Sequence, residues 1–352
     1  MSRKSSFPGI AIPFLLLVVV VAGWSVWWWH LSREVRSEIS AAVAASGESG
    51  IGVSHGAVSI SGWPFRVRVE SPEVRVRAAS GHALHAPRLI AEAMAYNPAH
   101  WVLLAPEGLT LTRADKGDVT ISARRIRASA THLDRPIPNL ALELVEPVFT
   151  PAQGAEVFPL ARAARVEIET RPVRSADARI LLGEAGLRLR LLDGEGRPGG
   201  PVESFAQNDR LSVVIETRVS GIDHLSGPLG PLRGWAAAEG ALLDLAGEMR
   251  AGEARAELSS ERLSVRDDGR LEGRVRFQAS NASPALNGLA RAEGIDGGAA
   301  TGAAAAARLN EAIGGDVTLI VDFTGGRTRL GPLNIAPAPA LWRSAAEGDP
   351  GP

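Results

Sequence analysis

The chain has 352 residues, 45% of them hydrophobic and 22% charged, with a formal net charge of −1. A balance so near neutral argues against the basic surface that a nucleic-acid binder needs. The absence of cysteine excludes disulfides and thiolate chemistry.

Residues 1–6 form a short N-terminus carrying Arg3 and Lys4, and Phe7 to Trp29 then runs without one charged residue. As a helix this run is about 34 Å long, enough to cross a bilayer core of about 30 Å. Pro8 and Pro13 fall in its first turns, where a missing N–H costs least. Trp24, Trp27, Trp28 and Trp29 read as an aromatic belt at the far interface, since indole is apolar in body but carries an N–H. A cleaved secretory signal fits less well. Bulky Trp occupies the exit, and the first loose small-x-small site, Ala42-Val43-Ala44, lies well beyond it. The expectation is an uncleaved anchor over 7–29 in a bacterial inner membrane. By the positive-inside rule its N-terminus is cytoplasmic and the rest of the chain periplasmic.

Residues 30–50 read as a juxtamembrane helix and linker. Leu31, Val35, Ile39 and Val43 recur every four residues, and Ser46-Gly47-Glu48-Ser49-Gly50 is a stop. From Ile51 the period changes to two. Phe65, Val67 and Val69 alternate with Arg66, Arg68 and Glu70, and Ser71-Pro72-Glu73 reads as a turn. Leu187, Leu189 and Leu191 alternate with Arg188 and Arg190, and the habit recurs to Val317–Phe323. Such alternation marks half-buried antiparallel strands. Asp267-Asp268-Gly269 and Gly325-Gly326 are hairpin signals. Helices are expected at Pro284 to Ala292, with Ser283 as N-cap, and at Thr301 to Ile313. Ala336-Pro337-Ala338-Pro339-Ala340 opens a tail, 336–352, expected to be disordered. The fold class is therefore mainly β, a β-rich α+β chain. A transmembrane helix precedes a large antiparallel sheet over 51–335, rolled or sandwich-like, with a few short helices.

Gly62-Trp63-Pro64-Phe65-Arg66, Tyr96-Asn97-Pro98, Gly234-Trp235 and Arg329-Leu330-Gly331-Pro332-Leu333 with Pro337 and Pro339 carry a resemblance. In their order, behind an N-terminal anchor, they resemble the alphaproteobacterial domain-of-unknown-function 2125 family, across roughly Gly50 to Pro339. Trp63 stands where the family more usually has Phe. The resemblance implies a membrane-anchored envelope protein and brings no catalytic residue with it. A likeness to anchored envelope proteins of the AsmA type is one of architecture alone.

Gly52-Val53-Ser54-His55-Gly56 fits the G-x-S-x-G pattern of a nucleophile elbow, but that elbow needs a helix after the Ser, and a strand follows here. Gly194-Glu195-Gly196-Arg197-Pro198-Gly199 fits G-x-G-x-x-G, but Pro198, Gly199, Gly200 and Pro201 forbid the helix that must hold a pyrophosphate, and a loose hairpin loop is expected. His82 and His85 stand three apart, which in an extended segment puts them on opposite faces, with no carboxylate pair to complete a metal site. Arg66, Arg68, Arg75 and Arg77 could meet anionic headgroups. Glu70 and Glu73 interleave with them, so cross-strand ion pairs are the default. We therefore expect no catalytic, cofactor-binding or metal residues and no cofactor. Trp63 and Phe65 are the candidate groove or core aromatics. The function expected is a non-enzymatic one in lipid handling or envelope maintenance, with the membrane, lipid and other envelope proteins as partners and no nucleic acid. The alternatives are an interaction scaffold at the inner membrane and, third, an anchored serine hydrolase using Ser54.

Overall fold

The computed structural model describes residues 8–48, 50–175, 177, 179–206, 209–225, 231–289, 304–305, 308 and 316–342. A single helix, α1 (Pro8–Glu48), spans 41 residues, about 60 Å at the usual rise. The apolar run and the expected juxtamembrane helix are thus one continuous rod, with Pro13 in its second turn.

Among the described residues, twenty strands follow in one antiparallel sheet. They are β1 (Ile51–Ser54), β2 (Ser59–Ser61), β3 (Arg66–Ala78), β4 (Ala83–Met94), β5 (Asn97–Leu104), β6 (Leu109–Arg113) and β7 (Gly117–Ser122). Next come β8 (Arg125–Thr131), β9 (Asn139–Val145), β10 (Val148–Pro151), β11 (Leu160–Arg162), β12 (Arg165–Arg174) and β13 (Ile180–Gly196). The series closes with β14 (Leu211–Ser220), β15 (Ala241–Ala251), β16 (Ala254–Val265), β17 (Leu271–Ser280), β18 (Val317–Thr324), β19 (Arg327–Leu330) and β20 (Leu333–Pro337). The sheet is a meander that does not close into a barrel. Short helices α2 (Pro201–Ala206), α3 (Pro231–Ala237) and α4 (Ala282–Leu289) sit at its hairpin ends.

Several of these strands are halves of longer, bent ones. Both β5 and β6 pair with β4, β7 and β8 follow one another beside them, and both β11 and β12 pair with β13. The breaks fall in line across the sheet, at residues 105–108, 123–124, 146–147 and 163–164. There the backbone departs from the strand pattern. Gly108 and Glu146 take positive φ, and Pro147, with no N–H to give, accepts from the Ala163 N–H at 3.0 Å through its carbonyl. A core of Val119, Ile121, Ile126, Leu144 and Phe149 joins residues from both sides of this crease, and Phe149 stacks on Phe158 with ring centroids 4.8 Å apart.

Several expectations need correction. Ser71-Pro72-Glu73 is not a turn. β3 runs through it in unbroken register with β4, and Glu73 absorbs the kink with φ 51°. Phe65 is 66% exposed and Trp63 is 52% exposed, so neither is a core aromatic. Both sit in the turn between β2 and β3, closed by the Arg66 N–H donating to the Gly62 carbonyl at 3.0 Å. The alternation holds from the next position on: Val67 and Val69 are buried while Arg66 and Arg68 are not. The helix α4 begins at Ala282, so Ser283 lies inside its first turn rather than at the cap. Ala292 lies outside the described residues, as does Thr301 to Ile313 apart from Ala304, Ala305 and Arg308, which are helical. Residues 336–342 of the expected tail are ordered, and 343–352 lie outside the described residues. The Leu341 N–H donates to the Gly269 carbonyl at 2.8 Å, and Trp342 is buried with Trp235 and Val265.

These positions give the first prediction. Val67, 1% exposed, touches the anchor helix through its cluster with Leu31, so Val67→Ala should cost about 2 kcal/mol in thermal or denaturant melting. Phe65→Ala, at an exposed turn, should stay within about 0.5 kcal/mol.

Candidate functional site

Because side chains alternate across a strand and register carries a face from strand to strand, the strand pairings can be followed across the sheet. One row runs Ile60–Val69–Ala91–Leu103–Ala128–Leu142–Ile168–Leu189–Ile215–Gly247–Leu258–Phe277–Leu319. Every member is apolar or glycine. At about 4.8 Å per strand the row is about 58 Å long. Parallel rows widen it. One is Val67–Ala93–Trp101–Ala130–Leu140, and another is Leu144–Val166–Leu191–Val213–Met249–Ala256–Ala279–Val317. Together they make an apolar lane from one end of the domain to the other.

The opposite face is built from charge. Arg68 donates to Glu92 at 2.6 Å, Arg190 to Glu167 at 2.7 Å, Arg188 to Glu216 at 3.1 Å and Arg274 to Asp322 at 2.6 Å. Apart from the pair made by the buried Glu167, these pairs lie at the surface, and each contributes only about 0–1 kcal/mol. Their consequence is orientation, since one face presents charge and the other apolar side chains.

The lane is covered at its ends and open between them. At one end α1 lays Leu31, Val35 and Ile39 over Val67, Val69 and Ala91. At the other, α4 packs Ala282 and Leu286 onto Ala279 and Val317. Beside this cap, Phe205 of α2, Leu286, Met249, Ala256, Phe277 and Leu319 line an apolar cavity of about 170 Å³. Between the ends Leu103, Ile168, Leu187, Leu189 and Val213 are half-buried, and Leu140 is 46% exposed.

The anchor end has its own geometry. The Trp24 indole donates to the Pro64 carbonyl at 2.7 Å and the Trp28 indole to the Arg66 carbonyl at 2.8 Å. Two of the four tryptophans expected to form a free belt are thus fastened to the β2–β3 turn. Trp27 and Trp29 remain 44% and 56% exposed. Trp63 and Phe65 therefore lie beside the end of the charge-free run of α1, outside the lane rather than within it.

The other candidate chemistry separates. Ser54 ends β1, and in the cross-strand row Ser54–Arg75–His85 an arginine stands between the serine and the histidine. The His85 imidazole instead meets Glu73 at 3.1 Å. Hydrogen bonds from Arg75 and then His85 hold the Glu73 carboxyl below the ordinary carboxylate range. His82 approaches Ser80, and no group of metal-ligating side chains forms among the described residues. In the Gly194–Gly199 loop a helix does follow, contrary to expectation, because Pro201 opens α2 at a position where no N–H is needed. The Gly199 N–H is already taken by Glu203 at 2.5 Å, which fills the place a phosphate oxygen would occupy.

The sequence profile of an uncharacterised family conserved in bacteria, DUF2125, matches residues 28–339. The chain belongs to that family. No curated protein and no solved structure is significantly similar to it. The family match covers the whole lane and the end of α1 that docks on it, while the apolar half of α1 precedes the matched segment. Among the described residues, Ile12–Gly47 of α1 is long and apolar enough to span a membrane, consistent with a membrane anchor.

Proposed function

We propose that this member of the family is a single-pass inner-membrane protein whose sheet faces the periplasm and whose lane holds the acyl chains of lipids. Its role is non-enzymatic, in lipid handling or envelope maintenance. The observation that carries the reading is the unbroken apolar row, half-open along its middle, that starts beside the membrane helix. A soluble domain rarely leaves so large an apolar surface in water, and acyl chains are partners whose chemistry matches a narrow apolar strip. The charge-paired opposite face keeps the sheet from lying flat on a second apolar surface.

Two measurements test this reading. A periplasm-active reporter fused after Pro352 should be active, and activity only from a cytoplasm-active reporter would reverse the topology. Purification in mild detergent followed by mass spectrometry should find phospholipid bound to the full chain. A protein that is lipid-free after a detergent exchange that leaves known lipid carriers loaded would contradict the lane's role.

A further inference from the structure

The β2–β3 and β4–β5 turns expose four large apolar side chains at one corner of the domain: Trp63 (52%), Phe65 (66%), Met94 (39%) and Tyr96 (68%). The two turns are tied together, since the Ala95 N–H donates to the Phe65 carbonyl at 2.8 Å and Arg66 pairs with Met94. Left in water, such a corner forfeits the burial that aromatic side chains usually gain.

The helix fixes what covers it. The Trp24 and Trp28 bonds place the β2–β3 turn beside residues 24–28 of α1. These lie within the charge-free run ending at Trp29 and not beyond it. From Trp24 to Trp29 the helix rises only about 7–8 Å, so the turn stands at the depth of the last apolar turns of the anchor. Trp27 and Trp29 point outward at the same depth, and the Arg33 guanidinium, one turn further from the core, lies over the Trp29 ring at 4.5 Å. That sequence of apolar residues, indoles and then arginine follows the profile of a bilayer interface.

We propose that Trp63, Phe65, Met94 and Tyr96 form a second membrane contact, seated in the headgroup–acyl boundary of the phospholipid bilayer that α1 crosses. The domain then does not swing freely on its helix. Two hairpin tips and the anchor fix it at separate points, with the α1-covered end of the lane nearest the leaflet. This inference rests on the anchoring part of the proposed function and not on acyl chains occupying the lane.

The chain contains no cysteine, so one introduced thiol can be labelled uniquely. Full-length Trp63→Cys, Tyr96→Cys, Val18→Cys and Glu257→Cys variants would carry a nitroxide in nanodiscs of phosphatidylethanolamine and phosphatidylglycerol, with collision by oxygen and by a nickel chelate as the readout. Val18 is the anchor control and Glu257, on the charged face, the water control. Labels at 63 and 96 should favour oxygen over nickel as the label at 18 does, and the label at 257 should show the reverse. Tyr96→Cys keeps Trp63 in place, so a disturbance from either substitution is separable. If 18 reads lipid while 63 and 96 read water, the anchor stands and the second contact is wrong. Labels at 63 and 96 shielded from both colliders would mean that protein covers the corner, which also overturns the proposal. If 18 itself reads water, the anchor reading and this one fail together.

Discussion

Leu189→Asp should strip the protein of lipid while leaving it folded. Leu189 lies mid-lane, paired with Ile168 on one side and Ile215 on the other, and it is half-buried. In the lipid-free state a carboxylate there keeps much of its hydration, so the fold should lose no more than about 1–2 kcal/mol. With an acyl chain in the lane the same carboxylate is desolvated without a partner. A penalty of about 3 kcal/mol corresponds to roughly a hundredfold loss of affinity. Phospholipid per mole of purified protein is the quantity to measure. Arg188→Gln, one residue away on the charged face, should leave it unchanged. Equal loss in both variants would show that the lane and the charged face do not differ in the way described.

The largest effect on stability is expected at the crease. Phe149 is 5% exposed, stacks on Phe158 and belongs to the core that joins the two arms of the bent sheet. Phe149→Ala should cost about 3–5 kcal/mol, because close neighbours on several strands cannot all relax into the cavity. Since this core holds the bend, the variant should also melt with reduced cooperativity if the arms separate. An effect below about 1 kcal/mol in denaturant titration would mean that the arms do not depend on that core.

How much of this could be read from the residues follows from what each feature depends on. Strand faces were legible wherever apolar and charged residues alternate, as at Leu187–Leu191, because a period of two is a local property. The two-residue loop at Gly325-Gly326 was legible for the same reason, since both glycines take the positive φ that such hairpins require. Phe65 misled because it continues the alternation of Val67 and Val69 in sequence, while the turn at Gly62–Arg66 takes it out of the sheet. The crease was hidden because it depends on single-residue departures at Glu146 and on breaks that align only once the strands pair. The lane is a property of register across the whole sheet, and no single strand displays it. The fastening of Trp24 and Trp28 to the β2–β3 turn is likewise tertiary. Four clustered tryptophans suggested an interface, but nothing in their spacing assigned two of them to carbonyls about 40 residues away.

The account depends most on one face of the sheet meeting lipid and the other not. Ile215 lies in the lane, and Glu216, the next residue, points to the charged face. A photo-reactive phenylalanine analogue placed at each position in turn, in cells carrying labelled phospholipid, tests that division with a displacement of one residue. Phospholipid adducts at position 215 and none at position 216 are the predicted result. Equal lipid adducts at both positions, or protein adducts alone at 215, would contradict it.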